Sequence, residues 1–128
     1  MACFFIDYEN ESGSTLEGIS RLGLTKKDEV LFFYSRKASR VTMELHRELE
    51  KLQAKKQYIE TETGTPNALD FQLSTCLGAY IQKNPRRAYY IVSKDCGYDC
   101  VCRFWNKQAV DVKRIDRFQY YADEMEEK

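Results

Sequence analysis

The stretch FFIDYEN, residues 4–10, places a run of apolar residues directly before an acidic and polar segment. Phe4, Phe5 and Ile6 predict a short strand that is buried on both faces, as strands of a parallel sheet are. Asp7 closes this strand. A carboxylate at the end of a buried strand needs either a structural partner or a functional role, and the stretch alone does not decide between them.

The order of segments along the chain predicts an α/β fold. Five apolar segments of strand length are rich in Phe, Tyr, Ile and Val, namely residues 2–7, 29–35, 57–61, 88–93 and 109–115. Segments with apolar residues at helical spacing separate them: residues 12–23, 39–55 (with Ser39 as the N-cap), 65–84 and 96–107. This alternation predicts a three-layer α/β/α sandwich around a central, mostly parallel five-stranded sheet. Ligands of such folds bind beyond the carboxyl ends of the strands.

The length of 128 residues, with 43% hydrophobic and 31% charged residues, predicts one soluble domain over residues 1–128. Its core covers about residues 2–115, and an acidic tail covers about residues 122–128. No apolar stretch approaches the roughly 20 residues of a membrane span, and five cysteines without a secretory signal favour the cytoplasm. Lys plus Arg and Asp plus Glu both number 20, so nucleic-acid binding would depend on a local basic patch.

Four aspartates are predicted to converge at the carboxyl edge of this sheet. Asp7 ends the first strand, and Asp95 follows the fourth. Asp70 lies in the first turn of the helix that follows the third strand. Asp99 comes four residues after Asp95, so the two would share a helix face if a helix begins there. Asp70 and Asp95 are each also explained as acids that cap a helix, so the interpretation depends on the convergence of all four.

Clustered carboxylates predict a hard divalent cation, Mg²⁺ or Mn²⁺, because their mutual repulsion requires positive charge between them. Such an ion lowers the pKa of a bound water and stabilises charge that develops on a phosphoryl oxygen. No Ser–His–Asp or Cys–His arrangement accompanies these acids in the sequence. The pattern therefore favours metal-dependent hydrolysis of a phosphodiester.

Three blocks resemble the acidic motifs of NYN/PIN-like nuclease domains: FIDYEN (residues 5–10), NALDFQLS (67–74) and VSKDCGYD (92–99). The resemblance covers about residues 2–115. It implies a PIN-like, Rossmann-like fold and a metal-dependent endoribonuclease that acts on single-stranded RNA, with DNA as another possible substrate. It also implies that the catalytic and metal-binding acids are Asp7, Asp70, Asp95 and Asp99.

Two further residues match the family pattern by position. Asn10 corresponds to the amide that follows the first acid, and Ser93 corresponds to the small hydroxyl residue that orients the site. The chain departs from some relatives in one place, since Asp70 is followed by Phe71 instead of a second acid. Members that have lost activity typically lack some of the acids, whereas this chain keeps all four, which favours an active enzyme.

Basic and aromatic residues near the same edge are candidates for RNA contacts. Arg36, Lys37 and Arg40 follow the second strand, and Lys94 follows the fourth. They are predicted to contact phosphates, although a solvated surface loop explains Arg36 and Lys37 equally well. Tyr8 and Tyr98 flank the acids, and the sequence leaves open whether they stack on bases or pack in the core.

Two other functional classes compete with the nuclease. A receiver-like signalling domain would need an aspartate at the end of the third strand, where this chain has Glu60, Thr61 and Glu62. A catalytically inactive PIN-like module for RNA binding or protein assembly remains an alternative. Either a homodimer or a partner protein would extend the RNA groove of so small a domain, and no membrane association is expected.

Overall fold

The computed structural model describes residues 1–8 and 19–118. In these residues five strands form one sheet: β1 (Ala2–Asp7), β2 (Glu29–Tyr34), β3 (Lys55–Glu60), β4 (Ala88–Val92) and β5 (Val112–Ile115). The order across the sheet is β3-β2-β1-β4-β5, and every neighbouring pair is parallel. The predicted α/β fold with a five-stranded sheet is confirmed, and the sheet is wholly parallel.

The strand order changes direction at β1, in the middle of the sheet. The chain builds outward from β1 through β2 to β3, then returns to the other side of β1 for β4 and β5. Connections that diverge from two adjacent strands leave a crevice at their carboxyl ends. Here the adjacent strands are β1 and β4, in which Ile6 lies opposite Val92. The topology therefore locates the candidate site just beyond these two residues.

Helices cover both faces of the sheet: α1 (Met43–Glu50), α2 (Ala68–Lys83) and α3 (Asp99–Lys107). Among the described residues, three short 3₁₀ turns accompany them, at Ile19–Arg21, Arg36–Ala38 and Cys96–Tyr98. The predicted N-cap of α1 is wrong, because Thr42 caps the helix by accepting a hydrogen bond from the Leu45 backbone N–H at 3.0 Å. Most of the predicted helix at 12–23 and the acidic tail at 122–128 lie outside the described residues.

Side chains of β1 alternate between two apolar cores. Phe4 and Ile6 pack on the face covered by α1, together with Leu45 and Leu49. Phe5 packs on the opposite face, in the cluster that contains Leu69, Leu73 and Leu77 of α2. The same alternation directs Asp7 to the α2 face and Tyr8 to the α1 face, so two consecutive residues serve opposite sides of the sheet.

A polar network closes the amino-terminal edge of the sheet, away from the candidate site. Glu29 accepts hydrogen bonds from Tyr80 Oη at 3.0 Å and from Gln57 Nε2 at 2.9 Å, and it pairs with Arg87 at 3.3 Å. Burial and the hydrogen bond to Glu29 raise the pKa of Tyr80 to about 12. Among residues 1–8 and 19–118, no helix is long and apolar enough to cross a membrane.

Candidate active site at the carboxyl edge of the sheet

Asp7 is fully buried at the end of β1. Its Oδ2 accepts a hydrogen bond of 3.1 Å from Ser93 Oγ, which follows β4 directly. The Ser93 hydroxyl in turn accepts a 3.1 Å bond from the backbone N–H of Asp95. Ser93 therefore fixes the orientation of the Asp7 carboxylate and ties it to the loop that carries Asp95.

Asp70 meets Asp7 at the hydroxyl of Tyr98. This oxygen lies 3.1 Å from Asp70 Oδ1 and 3.4 Å from Asp7 Oδ2. A phenol carries one proton, so it donates to one of these carboxylates at a time. Leu69 and Leu73 anchor the first turn of α2 in the core, and this packing holds Asp70 at the crevice. Two aspartates 63 positions apart in the sequence thus converge on one oxygen atom. This convergence is expected for residues at the carboxyl ends of parallel strands.

Tyr98 is a buried hydrogen-bond donor. It is only 2% exposed. Burial raises the pKa of Tyr98 far above its ordinary value, and the charges of Asp7, Asp70 and Asp95 raise it further. The phenol therefore stays protonated and stabilises the carboxylates around it. The stacking interpretation of Tyr98 is wrong because no face of the ring is accessible to a base.

Tyr8 is also mostly buried, so its ring is not an exposed platform beside the acids. Its ring belongs to the core on the α1 face and is 8% exposed. Its hydroxyl donates a 2.7 Å hydrogen bond to the backbone carbonyl of Arg40. Strand alternation directs this ring into the core, and the hydrogen bond fixes the loop of residues 36–40 beside the end of β1.

Asp95 lies at the margin of the site and caps a turn. Its Oδ1 accepts a 2.8 Å hydrogen bond from the Gly97 N–H at the start of the turn Cys96–Tyr98. A Cβ atom at Gly97 would lie 3.0 Å from the same oxygen, so glycine permits this cap. Asp95 thus caps a turn, which is one of the two roles that the sequence allows. It is also linked to Asp7 by hydrogen bonds through Ser93.

Asp99 forms an ion pair with Arg114. α3 begins at Asp99, and the Nε of Arg114 donates to Asp99 Oδ1 at 2.7 Å. This bond lowers the pKa of the Asp99 carboxyl below its ordinary value. Arg114 also donates to the backbone carbonyl of Ser93 at 3.0 Å and to Asp116 at 2.5 Å.

The four predicted acids have different contacts in the structure. Asp7 and Asp70 meet at the Tyr98 hydroxyl, whereas the 3₁₀ turn Cys96–Tyr98 lies between Asp95 and the start of α3 at Asp99. Asp99 instead pairs with Arg114, a residue that the sequence interpretation did not select. The group of basic residues at the carboxyl end of β5, Lys113, Arg114 and Arg117, is the signal in the sequence that points to Arg114, but its partner becomes evident only from the fold.

The carboxylates suit a hard divalent cation with few protein ligands. Within residues 1–8 and 19–118, no group of three or more His, Cys, Asp or Glu side chains is arranged to hold a metal ion. Mg²⁺ commonly uses one or two carboxylates and completes its shell with waters and substrate phosphates. Asp7 and Asp70 provide such a pair, since their oxygens meet at one hydroxyl. Asn10, the predicted amide of the site, lies outside the described residues.

The predicted basic residues follow the carboxyl ends of their strands. Arg36 and Lys37 form part of the 3₁₀ turn that follows β2, and Arg40 comes shortly after it. Lys94 stands between Ser93 and Asp95. All four are exposed at the carboxyl edge of the sheet. Their contacts with phosphate remain a prediction.

Comparison with protein families identifies the architecture. The family model PIN7, described as a PIN domain, matches residues 1–115. This match spans all five strands and both acids that meet at Tyr98. Neither a curated protein nor a solved structure gives a significant match to the chain.

Proposed function

The chain belongs to the PIN domain family, and on this premise we propose that it is a metal-dependent endoribonuclease that hydrolyses phosphodiester bonds of single-stranded RNA. PIN domains are typically nucleases. The observation that carries the proposal is the meeting of Asp7 and Asp70 at the Tyr98 hydroxyl, in the crevice between β1 and β4. Mg²⁺ or Mn²⁺ is the proposed cofactor.

Each residue of the site has a distinct role in this proposal. Asp7 and Asp70 would hold the cation, and Asp95 would add negative charge beside them. Ser93 orients Asp7 through its 3.1 Å hydrogen bond, and Tyr98 keeps the two carboxylates adjacent. When bound, the cation supplies a water of lowered pKa and stabilises charge on the phosphoryl oxygens. Asp99 is a positioning residue, because it holds the Arg114 guanidinium that contacts the Ser93 carbonyl.

The proposed substrate contacts follow from exposed positive charge at the same edge. Arg36, Lys37, Arg40 and Lys94 would bind phosphates, which fixes the position of a strand without reading its sequence. Because the formal net charge is zero, this binding would be local and sensitive to salt. A homodimer or a partner protein would extend the binding surface, and the proposed location is the cytoplasm.

One observation favours a second candidate, a PIN-like module that binds RNA without cleaving it. Asp99 is engaged by Arg114, and in the part of the chain that the structure describes two carboxylates meet at Tyr98. If the proposed cation requires a third carboxylate, the site would hold it too weakly to support hydrolysis, while the basic residues would still bind phosphate.

The experiment uses a labelled single-stranded RNA and the DNA of the same sequence, with Mn²⁺, Mg²⁺ or EDTA. The parent is compared with Asp7→Asn, Asp70→Asn and the control Asp111→Asn. Asp111 is exposed and precedes β5, so the control makes the same chemical change at the opposite edge of the sheet. We expect metal-dependent RNA cleavage by the parent and by Asp111→Asn, and its loss in the other two. Binding of RNA without cleavage by the parent would support the inactive module instead.

A further inference from the structure

A cavity of about 490 Å³ opens on the α1 face of the sheet, within the size range of small-molecule sites. Its walls include Phe32 and Tyr34 of β2, Tyr58 of β3 and Val41 before α1. The Tyr58 ring stacks on Phe32, with centroids 5.1 Å apart and an interplanar angle of 15°. Tyr58 is nevertheless 56% exposed. The cavity therefore offers an aromatic face in a fixed orientation.

Polar groups line the same cavity. Glu60, at the carboxyl end of β3, is exposed and supplies a hydrogen-bond acceptor. His46 of α1 also lines it, and its Nε2 lies 2.9 Å from Glu50. A planar apolar surface beside hydrogen-bonding groups suits a nucleobase, which has a π-face and a polar edge.

The cavity and the candidate active site share the end of β1. Tyr8 lines the cavity, whereas Asp7, the residue before it, lies in the acid site. The Tyr8 hydroxyl binds the carbonyl of Arg40, and Ala38 and Ser39 line the cavity, so the loop of residues 36–40 borders it. Arg36 and Arg40 are exposed on this loop. Their positive charge beside the cavity complements a nucleotide phosphate better than it does an apolar peptide.

We propose that this cavity binds one base of the single-stranded RNA, with the base stacked on Tyr58 and its phosphate near Arg36 and Arg40. This inference rests on the proposed nuclease function, because it assigns a specificity subsite to the same substrate. Glu60 accepts hydrogen bonds only, so it favours bases with an exocyclic amino group, such as cytosine, over uracil.

Mononucleotides test the inference in EDTA, because they contain no phosphodiester bond to cleave and their binding is then measured without metal. The dissociation constants of CMP, UMP and ribose 5-phosphate are measured by calorimetry. His46 is the only histidine of the chain, so its ring proton signals report on the cavity wall by NMR. We expect CMP to shift these signals and to bind more tightly than UMP. Ribose 5-phosphate, which has no base, should bind much more weakly than either.

Substitutions of Tyr58 separate stacking from general surface effects. Tyr58→Ala should weaken CMP binding about tenfold, the loss expected for one stacking contact, while Tyr58→Phe keeps most of the affinity. Phe104→Ala is the matched control, because Phe104 is also 56% exposed but lies on α3. It should leave CMP binding unchanged. Glu60→Gln should reduce the preference for CMP over UMP, and melting temperatures verify that each variant is folded.

The outcomes also distinguish this inference from the proposed function. Equal affinity of the parent and Tyr58→Ala for CMP would overturn it, as would equal binding of ribose 5-phosphate and CMP, even where Asp70→Asn abolishes RNA cleavage. A cavity that takes up a protein partner and no nucleotide would overturn it as well. If the parent does not cleave RNA but binds CMP through Tyr58, the nucleotide site stands and the nuclease proposal fails.

Discussion

Substitution of Tyr98 by Phe isolates the hydroxyl that joins the two acids. The ring is buried with the α2 core and stays packed there, so the change removes one oxygen atom. That oxygen lies 3.1 Å from Asp70 and 3.4 Å from Asp7. A hydrogen bond to a charged group contributes about 1.5–3 kcal/mol to stability. For a chain of this length, the loss corresponds to a fall of about 5–10 °C in the melting temperature.

The dependence of this fall in melting temperature on divalent metal tests whether it arises at the acid site. A cation bound by Asp7 and Asp70 would stabilise the charges that the phenol otherwise stabilises. We therefore expect the full fall in the melting temperature of Tyr98→Phe in EDTA. In saturating Mn²⁺ this fall should shrink by more than about half. Circular dichroism melting curves of the parent and the variant, with and without Mn²⁺, measure the effect.

Tyr8→Phe is the matched control for this experiment. It also removes a buried phenol hydroxyl, but that hydroxyl binds the Arg40 carbonyl on the α1 face. Its stability loss should be the same with and without Mn²⁺. If Tyr98→Phe behaves in the same way as Tyr8→Phe, or melts with the parent in EDTA, then the Tyr98 hydroxyl does not couple the acids to a cation.

Three further substitutions test other contacts of the fold. Gly97→Ala places a Cβ atom 3.0 Å from Asp95 Oδ1, so it should displace this carboxylate and slow RNA cleavage at least about tenfold, with little change in the melting temperature. Asp99→Asn removes a carboxylate whose pKa is lowered by Arg114. The stability difference from the parent should be constant above the ordinary carboxyl pKa and diminish in melts at lower pH, as Asp99 of the parent becomes protonated. Tyr80→Phe removes a phenol whose pKa is raised to about 12. The folded parent binds this proton more tightly than the unfolded chain does. The excess free energy of unfolding of the parent over the variant, measured by denaturant titration, should therefore decline as the pH rises from 10 towards 12.

The sequence predicts the sheet well because buried parallel strands leave a strong local signal. The apolar segments match the five strands closely. Asp7 and Asp70 meet at the carboxyl edge of the sheet, as their positions after strands predict. The start of α1 was predicted less well, since Ser39 and Thr42 are both suitable caps by local criteria. The structure has Thr42 as the cap, and the intervening residue Arg40 is held by a long-range hydrogen bond from Tyr8.

The parts of the site that the sequence did not reveal depend on tertiary packing. An aromatic residue beside an acid can face either solvent or the core. For Tyr8, strand alternation at the end of β1 decides this orientation. For Tyr98 it depends on the 3₁₀ turn before α3. The same turn separates Asp95 from Asp99 and leaves Asp99 to Arg114. Local spacing along α3 carries no information on a partner 15 residues away on β5.

The central claim is that Asp7 and Asp70 together hold a divalent cation at the carboxyl edge of the sheet. Anomalous diffraction from crystals of the parent grown with Mn²⁺ tests it most directly. The account predicts one strong peak within coordination distance, about 2.0–2.3 Å, of oxygens from both carboxylates, and no such peak in crystals of Asp7→Asn. Mn²⁺ bound only at other positions, with both carboxylates uncoordinated at millimolar metal, would contradict it.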